Sequence, residues 1–258
     1  MSVAGFFEFE FDLPGALLNN LVAVFQTMEY APLTPESVEQ IPEQQGVYQL
    51  LLAGKPVYIG KTDAEAGLRQ RLQRHAYTIM HRRGLDPASV SFKAVRVYVF
   101  TAIDLETQLI RYYGATEPVA WNSSGFGSND PGRERDTTTV KPEGFDAKYP
   151  IDIDREISLD VPDEVTGAQL AMALKQSLPY TFRVEGNAPR SRRIHADFDS
   201  SRVELPSKTA TTRKFVELLI NALPQGWQAT ALSSRVIIYK ESREYPFGTV
   251  IAGSGSNK

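Results

Sequence analysis

The chain has 258 residues, of which 42% are hydrophobic, and a net charge of -3, so it can bury the core of one large or two modest domains. It contains no cysteine and three histidines, which excludes disulfides and thiolate metal sites and leaves oxygen or imidazole as metal ligands. No apolar run approaches the roughly 18 residues of a membrane span and no signal-peptide pattern is present, so we expect a cytoplasmic protein without a membrane partner.

The charges are segregated along the chain. The first 40 residues hold six acids and no Lys or Arg, which leaves the remainder with a net charge of +3. Residues 66–83 contain five arginines and no acid. This stretch is either a solvated helix face or a surface that binds phosphates.

The first 40 residues form a predicted N-terminal arm. Aromatic and acidic residues alternate over residues 6–13, which predicts a half-buried strand, and residues 16–28 have the pattern of an apolar helix. A proline-rich connector follows. It leads into a predicted hairpin with strands at residues 46–52 and 56–60 and Gly54 in the turn.

The middle of the chain predicts two further helices and a strand. Apolar residues at helical spacing indicate an amphipathic helix over residues 66–82 whose other face is basic. Residues 90–100 are rich in β-branched and aromatic side chains, which favours a strand. Thr101 and Asp104 fit a capping box for the next helix. Residues 121–136 are dominated by Gly, Ser, Asn, Asp and Pro and predict an irregular loop.

The C-terminal part has a different pattern. Residues 166–177 and 211–222 read as helices, and each is followed by Leu-Pro and a predicted strand. A closing strand is predicted at residues 235–239. Residues 151–258 therefore predict a small α+β domain with a repeated helix-strand unit.

Several of these segments carry an ordered set of motifs. GVY at residues 46–48 and VYIG at residues 57–60 are followed by LRQRLQRH, which contains Arg71 and His75, and then by Glu106, Asn122 and the glycine-rich loop. In this order the residues resemble the GIY-YIG endonuclease superfamily, most closely its type II restriction endonucleases. The resemblance covers about residues 46–136. It implies an α+β fold in which residues 41–150 form a small antiparallel sheet flanked by helices, with residues 151–258 as an additional domain.

The resemblance also implies a catalytic set and a metal. The set comprises Tyr48, Tyr58, Arg71, His75, Glu106 and Asn122. Glu106 is its only carboxylate, and a hard oxygen ligand suits Mg²⁺, for which Mn²⁺ can substitute. Arg71 can clamp the scissile phosphate with a guanidinium that never deprotonates. Outside this context, a lone helix glutamate or arginine is usually a solvated surface residue.

Tyr48 and Tyr58 are separated by an even number of positions in the sequence. A hairpin loop of odd length would place Tyr48 and Tyr58 opposite each other on one sheet face. Tyr48 is the better candidate to accept the proton of water if metal and cation lower its pKa, and Tyr58 would orient the water or the phosphate. Both are alternatively packing residues. His75 can exchange protons near neutral pH, and Asn122 orients a tyrosine or holds the loop.

Further cations are candidates for contacts with DNA. In the predicted nuclease region they are Lys61, Arg69, Arg74, Arg133 and Arg135. The glycine loop is alternatively a structural Ω-loop. In the C-terminal region the candidates are Arg190, Arg192, Arg193, Lys208, Arg213 and Lys214, with protein contact as the rival interpretation.

The function implied by the resemblance is a metal-dependent DNA endonuclease, most specifically a type II restriction enzyme that cuts duplex DNA. Cleavage of both strands at a palindrome would require a homodimer, and the phenylalanine-rich N-terminal arm is a candidate for its interface. A defence or repair nuclease for single-stranded or branched DNA is an alternative. So is an inactive module that binds nucleic acid or protein.

Overall fold

The computed structural model describes residues 4–62, 65–98, 105–127, 130–138, 140–188, 191 and 193–253. Its contacts divide the chain into two compact units. The first comprises Met1–Gln73 and Pro87–Asn122, and the second comprises Arg74–Asp86 and Ser123–Lys258. The division falls inside helix α3 (Leu68–Met80). The predicted domain limits at residues 40 and 150 stay predictions.

The first unit is built on a four-stranded antiparallel sheet in the order β1-β4-β2-β3. The strands are β1 (Ala31–Pro32), β2 (Gly46–Leu52), β3 (Lys55–Lys61) and β4 (Val90–Arg96). Its helices are α1 (Leu13–Thr27), α2 (Pro35–Glu39), the start of α3, and α4 (Leu105–Gly114). The predicted hairpin is confirmed. The predicted third strand is confirmed over residues 90–96, whereas residues 97–98 are not part of it. Residues 99–100 and the proposed capping box at Thr101 and Asp104 lie outside the described residues.

Helices α1 and α4 cover one face of this sheet. Val47 of β2 and Ile59 of β3 are fully buried in a cluster with Phe25 of α1 and with Leu105 and Leu109 of α4. Successive strand residues point to opposite faces. The neighbours of these apolar residues, including both predicted site tyrosines, therefore lie on the other face.

The predicted N-terminal strand is wrong. Residues 6–12 have no regular secondary structure, and the four phenylalanines of this segment are 62–84% exposed. A period-two pattern becomes a strand only where a neighbour satisfies its backbone hydrogen bonds, and no described strand pairs with this segment. The predicted role of the arm at a dimer interface stays a prediction.

The second unit contains a four-stranded mixed sheet in the order β12-β10-β11-β7, in which β7 runs parallel to β11. Its strands are β7 (Thr181–Val184), β10 (Gln228–Leu232), β11 (Arg235–Tyr239) and β12 (Thr249–Gly253). Two small ladders pair β5 (Glu156–Ser158) with β9 (Thr209–Thr211), and β6 (Glu164–Thr166) with β8 (Arg202–Glu204). The helices are the rest of α3, α5 (Phe145–Lys148), α6 (Gly167–Ser177), α7 (Ala196–Ser200) and α8 (Thr212–Ala222).

The predicted helix-strand repeat is confirmed in α6 and α8. Each helix begins after a capping threonine, Thr166 or Thr211, whose hydroxyl accepts a backbone hydrogen bond from the third helical residue. Each ends at a leucine, Leu178 or Leu223, that is followed by proline, which cannot continue a helix. Both helices pack on one apolar core that includes Phe215.

Helices and sheets occur together in both units, which confirms the α+β class. Within the described ranges, none of the helices has the length and apolarity needed to cross a membrane.

Candidate active site

The two motif tyrosines lie on the same face of the hairpin in the first unit, although they are not opposite each other. Tyr48 pairs with Gly60, and Tyr58 pairs with Leu50. The connecting turn has two residues instead of the predicted odd number, and the register shifts at Val57, which has no partner residue on β2. With a two-residue turn and no bulge, Tyr48 and Tyr58 would lie on opposite faces of the hairpin. The β-bulge at Val57 places them on the same face. The ring centroids of the tyrosines are 6.1 Å apart.

The motif glycines make room for close packing around Tyr48. A Cβ atom added to Gly60 would come within 2.5 Å of Cζ of Tyr48, so the phenol ring lies directly over the glycine. A Cβ added to Gly46 would collide with the carbonyl oxygen of Val95 and lie 2.7 Å from Cδ1 of Leu68. These two positions therefore require glycine for steric reasons.

Tyr48 is fully buried, and its hydroxyl contacts a cation. Nε of Arg71 donates a hydrogen bond of 3.4 Å to the hydroxyl oxygen of Tyr48. Burial and the neighbouring Tyr58 raise the pKa of Tyr48 above its usual value of about 10, and the contact with Arg71 offsets this only in part. Tyr48 is thus a neutral phenol at neutral pH. Tyr58 is 8% exposed.

Arg71 keeps its positive charge in this environment. Burial acts to lower the pKa of Arg71, but its contacts with Tyr48 and Tyr58 outweigh burial, and the pKa is raised. The guanidinium is partly buried beside the tyrosine pair, where a dielectric lower than that of water strengthens its attraction for an anion.

Glu106 lies close to the strand that carries Tyr58. Nζ of Lys61, at the end of β3, is 4.0 Å from Oε2 of Glu106. Lys61 directly follows Gly60, the residue beneath the Tyr48 ring. Lys61 is opposite Val47 of β2, so by strand alternation the Lys61–Glu106 pair lies at the end of β3 on the side of the sheet that α4 covers.

The donor set fits a magnesium ion of the kind that the resemblance implies. Among the described residues there is no group of three or more His, Asp or Glu side chains that could enclose a metal. Mg²⁺ does not need one, since it keeps several of its waters and binds proteins through one or two carboxylates. The Glu106 side chain is 26% exposed, so a hydrated ion can reach it. Lys61 would then compete with the metal for this carboxylate.

Asn122 holds the edge of the hairpin. Its Oδ1 accepts a hydrogen bond of 2.8 Å from the backbone N–H of Ile59, and its Nδ2 donates one of 2.7 Å to the Ile59 carbonyl. The backbone N–H of Trp121 donates to the carbonyl of Val57, the bulge residue, at 2.7 Å. Residues 121–122 thus occupy the open edge of β3. The predicted role of Asn122, to orient a tyrosine or hold the loop, stays a prediction.

Arg69 makes local contacts in the first unit. Its Nε donates to the carbonyl of Ile41 at 2.6 Å, and one of its terminal nitrogens is 3.5 Å from Glu43. Both contacts fix the segment before β2. Contact of Arg69 with DNA stays a prediction, as does that of Lys61.

The remaining predicted site residues belong to the second unit. His75 is buried, and its ring stacks on Phe126 with centroids 5.0 Å apart. Arg74 is exposed on α3, and Arg135 is exposed in a short 3₁₀ helix. Arg133 lies over the ring of Tyr239, 4.1 Å from its centroid. The catalytic role of His75 and the DNA contacts of these arginines stay predictions.

Sequence reasoning missed a buried charge cluster where the glycine-rich loop ends. The carboxylate of Asp136 accepts hydrogen bonds from Nε of Arg235 and Nη1 of Arg183, each at 2.6 Å, and from the hydroxyl of Tyr239 at 2.8 Å. Arg183 also pairs with Asp130 of the same loop. These contacts attach the loop to β7 and β11. They join residues about 50 and 100 positions apart in the sequence, so no local sequence pattern predicts these contacts.

Comparisons with known proteins do not identify a family, because no protein-family model and no curated protein matches the chain.

Proposed function

We propose that the chain is a metal-dependent DNA endonuclease with a GIY-YIG type active site in its first unit. The observation that carries this proposal is the contact of Arg71 with Tyr48, whose ring lies beside that of Tyr58. Tyr58 is on β3, and Lys61, the last residue of β3, pairs with Glu106. Hydrolysis of a phosphodiester needs a cation for the phosphate, a polar group for the attacking water and a carboxylate for a metal. Arg71, Tyr58 and Glu106, all in the first unit, would supply these three groups.

Arg71 would bind the scissile phosphate. Its guanidinium is planar, permanently charged and can donate two hydrogen bonds to phosphate oxygens. Charge builds up on those oxygens as water attacks phosphorus and the bond to the 3′ oxygen breaks, which leaves a 5′-phosphate. A fixed cation stabilises that charge more than it stabilises the ground state.

The burial of Tyr48 changes the roles that we assign to the tyrosines. A fully buried neutral phenol with a raised pKa is poorly suited to take a proton from water. We therefore assign Tyr48 to position Arg71, through the hydrogen bond to its Nε, and Tyr58 to contact the water or the phosphate. This changes the role that the sequence suggested for Tyr48 and keeps the role suggested for Tyr58.

Glu106 would hold the metal, which when bound supplies positive charge to the phosphate and favours ionisation of water. Lys61 would hold Glu106 in place before the metal binds and add positive charge afterwards. The specific type II restriction activity, with duplex DNA and a homodimer, rests on the motif order alone.

The test is cleavage by purified protein with Mg²⁺ or Mn²⁺ and supercoiled, linear duplex or single-stranded DNA. We expect the wild type to cut, and Glu106→Gln to cut about 10²–10³-fold more slowly. Glu117→Gln is a matched control, because Glu117 is an exposed carboxylate of the same unit paired with Lys55. It should cut at the wild-type rate.

Each outcome discriminates between activities. Discrete duplex fragments support restriction, whereas preferential loss of single strands supports a defence or repair nuclease. Absence of cleavage on every substrate would overturn the enzymatic proposal. Comparable rates for Tyr48→Phe and wild type, with a large loss in Tyr58→Phe, would support the role of Tyr58 and contradict that of Tyr48, since Arg71 would then hold its position without the Tyr48 hydroxyl.

A further inference from the structure

The second unit has a large cleft beside the edge strand β7. Its volume is about 1210 Å³, which exceeds the roughly 300–1,000 Å³ of a typical small-molecule pocket. It is lined by residues 131–134 and 137, by one side of α6, by residues 182–188, 191 and 193–195, and by Tyr239 and Arg243. The size favours a segment of a polymer over a small metabolite.

The lining has an excess of positive charge. It contains five Lys and Arg residues and two acids. The cations are Arg133, Lys175, Arg183, Arg193 and Arg243, and the acids are Glu134 and Glu185. This balance contrasts with the net charge of -3 of the whole chain, so the cleft concentrates positive charge in an acidic protein.

Three of these cations are available to a ligand. Lys175, Arg193 and Arg243 are exposed, and within the described parts of the chain none of them pairs with a carboxylate. Arg183 is committed to Asp130 and Asp136. The structure therefore divides the lining into charges that are paired within the protein and charges that have no carboxylate partner among the described residues. Arg243 also lies over the ring of Tyr245, 5.3 Å from its centroid.

The other basic residues predicted to contact DNA from this region are different. Lys208 pairs with Asp163 at 3.3 Å, and Lys214 pairs with Glu217 at 3.9 Å. Arg213 pairs with Asp154 at 2.6 Å. Arg190 and Arg192 lie outside the described residues. Of the candidates named from the C-terminal region of the sequence, Arg193 alone among those described lines the cleft, and Arg133, named from the glycine-rich loop, also lines it.

We propose that this cleft binds a stretch of the DNA backbone through Lys175, Arg193 and Arg243, as a second DNA contact in addition to the proposed active site. The proposal rests on the proposed nuclease function for the identity of the polyanion. Phosphates are spaced along a strand and suit several separate cations, whereas a small anion would use only one or two. Met172, 45% exposed in the cleft wall, offers apolar contact to sugars.

The test measures binding of fluorescently labelled duplex and single-stranded DNA by anisotropy at several salt concentrations, in the Glu106→Gln background so that the DNA stays intact. The cleft variant combines Lys175→Glu, Arg193→Glu and Arg243→Glu. The control variant combines Arg202→Glu, Lys208→Glu and Lys214→Glu, which changes the charge of the same unit equally but at residues that have carboxylate partners.

We expect the cleft variant to bind DNA about 10²-fold more weakly at low salt and to lower the slope of log affinity against log salt by about 2–3, since each lost phosphate contact removes about 0.9. The control should lose far less of both. With Glu106 intact, the cleft variant should retain kcat at saturating DNA and raise KM. Urea unfolding verifies that both variants fold.

Equal binding by the cleft and control variants would overturn this inference and favour a protein partner for the cleft, while leaving the nuclease function intact if the wild type still cuts. A wild type that neither binds nor cuts DNA would overturn both proposals. A wild type that binds through the cleft but never cuts would support the contact and refute the enzyme.

Discussion

Replacing Gly60 with alanine should displace Tyr48 and uncouple it from Arg71. The added methyl group would lie 2.5 Å from Cζ of Tyr48, and ordinary van der Waals contact begins at 3.4 Å, so the ring must move by about 1 Å. The ring cannot rotate into solvent because Tyr48 is fully buried. The hydrogen bond to Arg71 is already 3.4 Å long, and the displacement exceeds what it can tolerate.

We expect Gly60→Ala to lower the free energy of unfolding by about 1–3 kcal/mol, the usual cost of overpacking a core. DNA cleavage should fall by about 10²-fold, because an error of 1 Å in a positioned group has that effect. Urea denaturation measures the first quantity, and nicking of supercoiled DNA measures the second. Gly114→Ala is the control, because no heavy atom lies within 4 Å of its added Cβ.

A double-mutant cycle isolates the steric cause. In a Tyr48→Leu background the outer ring atoms are absent, so Gly60→Ala should then cost less than about 0.5 kcal/mol. A neutral effect of Gly60→Ala in the wild type, or the same cost in both backgrounds, would show that the phenol does not lie over this glycine. The stability arm of the cycle does not depend on the proposed activity.

Three further outcomes follow from the contacts of the two units. Asn122→Ala should lower the free energy of unfolding by about 2–3 kcal/mol, because both backbone groups of Ile59 lose their partner; Asn122→Asp keeps the acceptor and should cost less in urea denaturation. Asp136→Asn should cost about 3–5 kcal/mol, since it leaves two arginines without their buried counterion; calorimetry of the full chain would measure this loss. The raised pKa of Tyr48 means that its contribution to stability is complete below about pH 10 and is lost as the pH rises through that pKa. Tyr48→Phe should therefore lose stability less steeply than the wild type above about pH 10, and parallel curves would contradict this.

Local patterns were sufficient to predict much of the secondary structure. The hairpin depends on a two-residue turn in which Ala53 and Gly54 both have positive φ, and glycine marks such turns in the sequence. Helices α6 and α8 were predictable because their caps and terminal Leu-Pro pairs act within a few residues of the helix ends. These elements agree with their sequence patterns because neighbouring residues determine them.

Features that depend on distant residues were not predictable. The phenylalanine alternation in residues 6–12 has the right period for a strand but finds no described partner. The spacing of Tyr48 and Tyr58 suggested a loop with an odd number of residues, whereas the chain has a two-residue turn and a bulge at Val57. That bulge is held by Trp121, more than 60 residues away. Only the folded chain shows which backbone groups remain available for such contacts.

The motif residues differ in how much they say about function. Gly46 and Gly60 have sufficient steric reasons to be glycine, since each accommodates a neighbouring group in the packing of the sheet. A sheet with the same packing needs no guanidinium beside a buried phenol, and an apolar side chain at position 71 would avoid the cost of desolvating a charge. The same applies to Lys61 at the end of β3 and Glu106 of α4, whose partly exposed ion pair adds little stability. Packing therefore explains the presence of Arg71, Lys61 and Glu106 least. These three residues are the strongest support for the proposed nuclease activity.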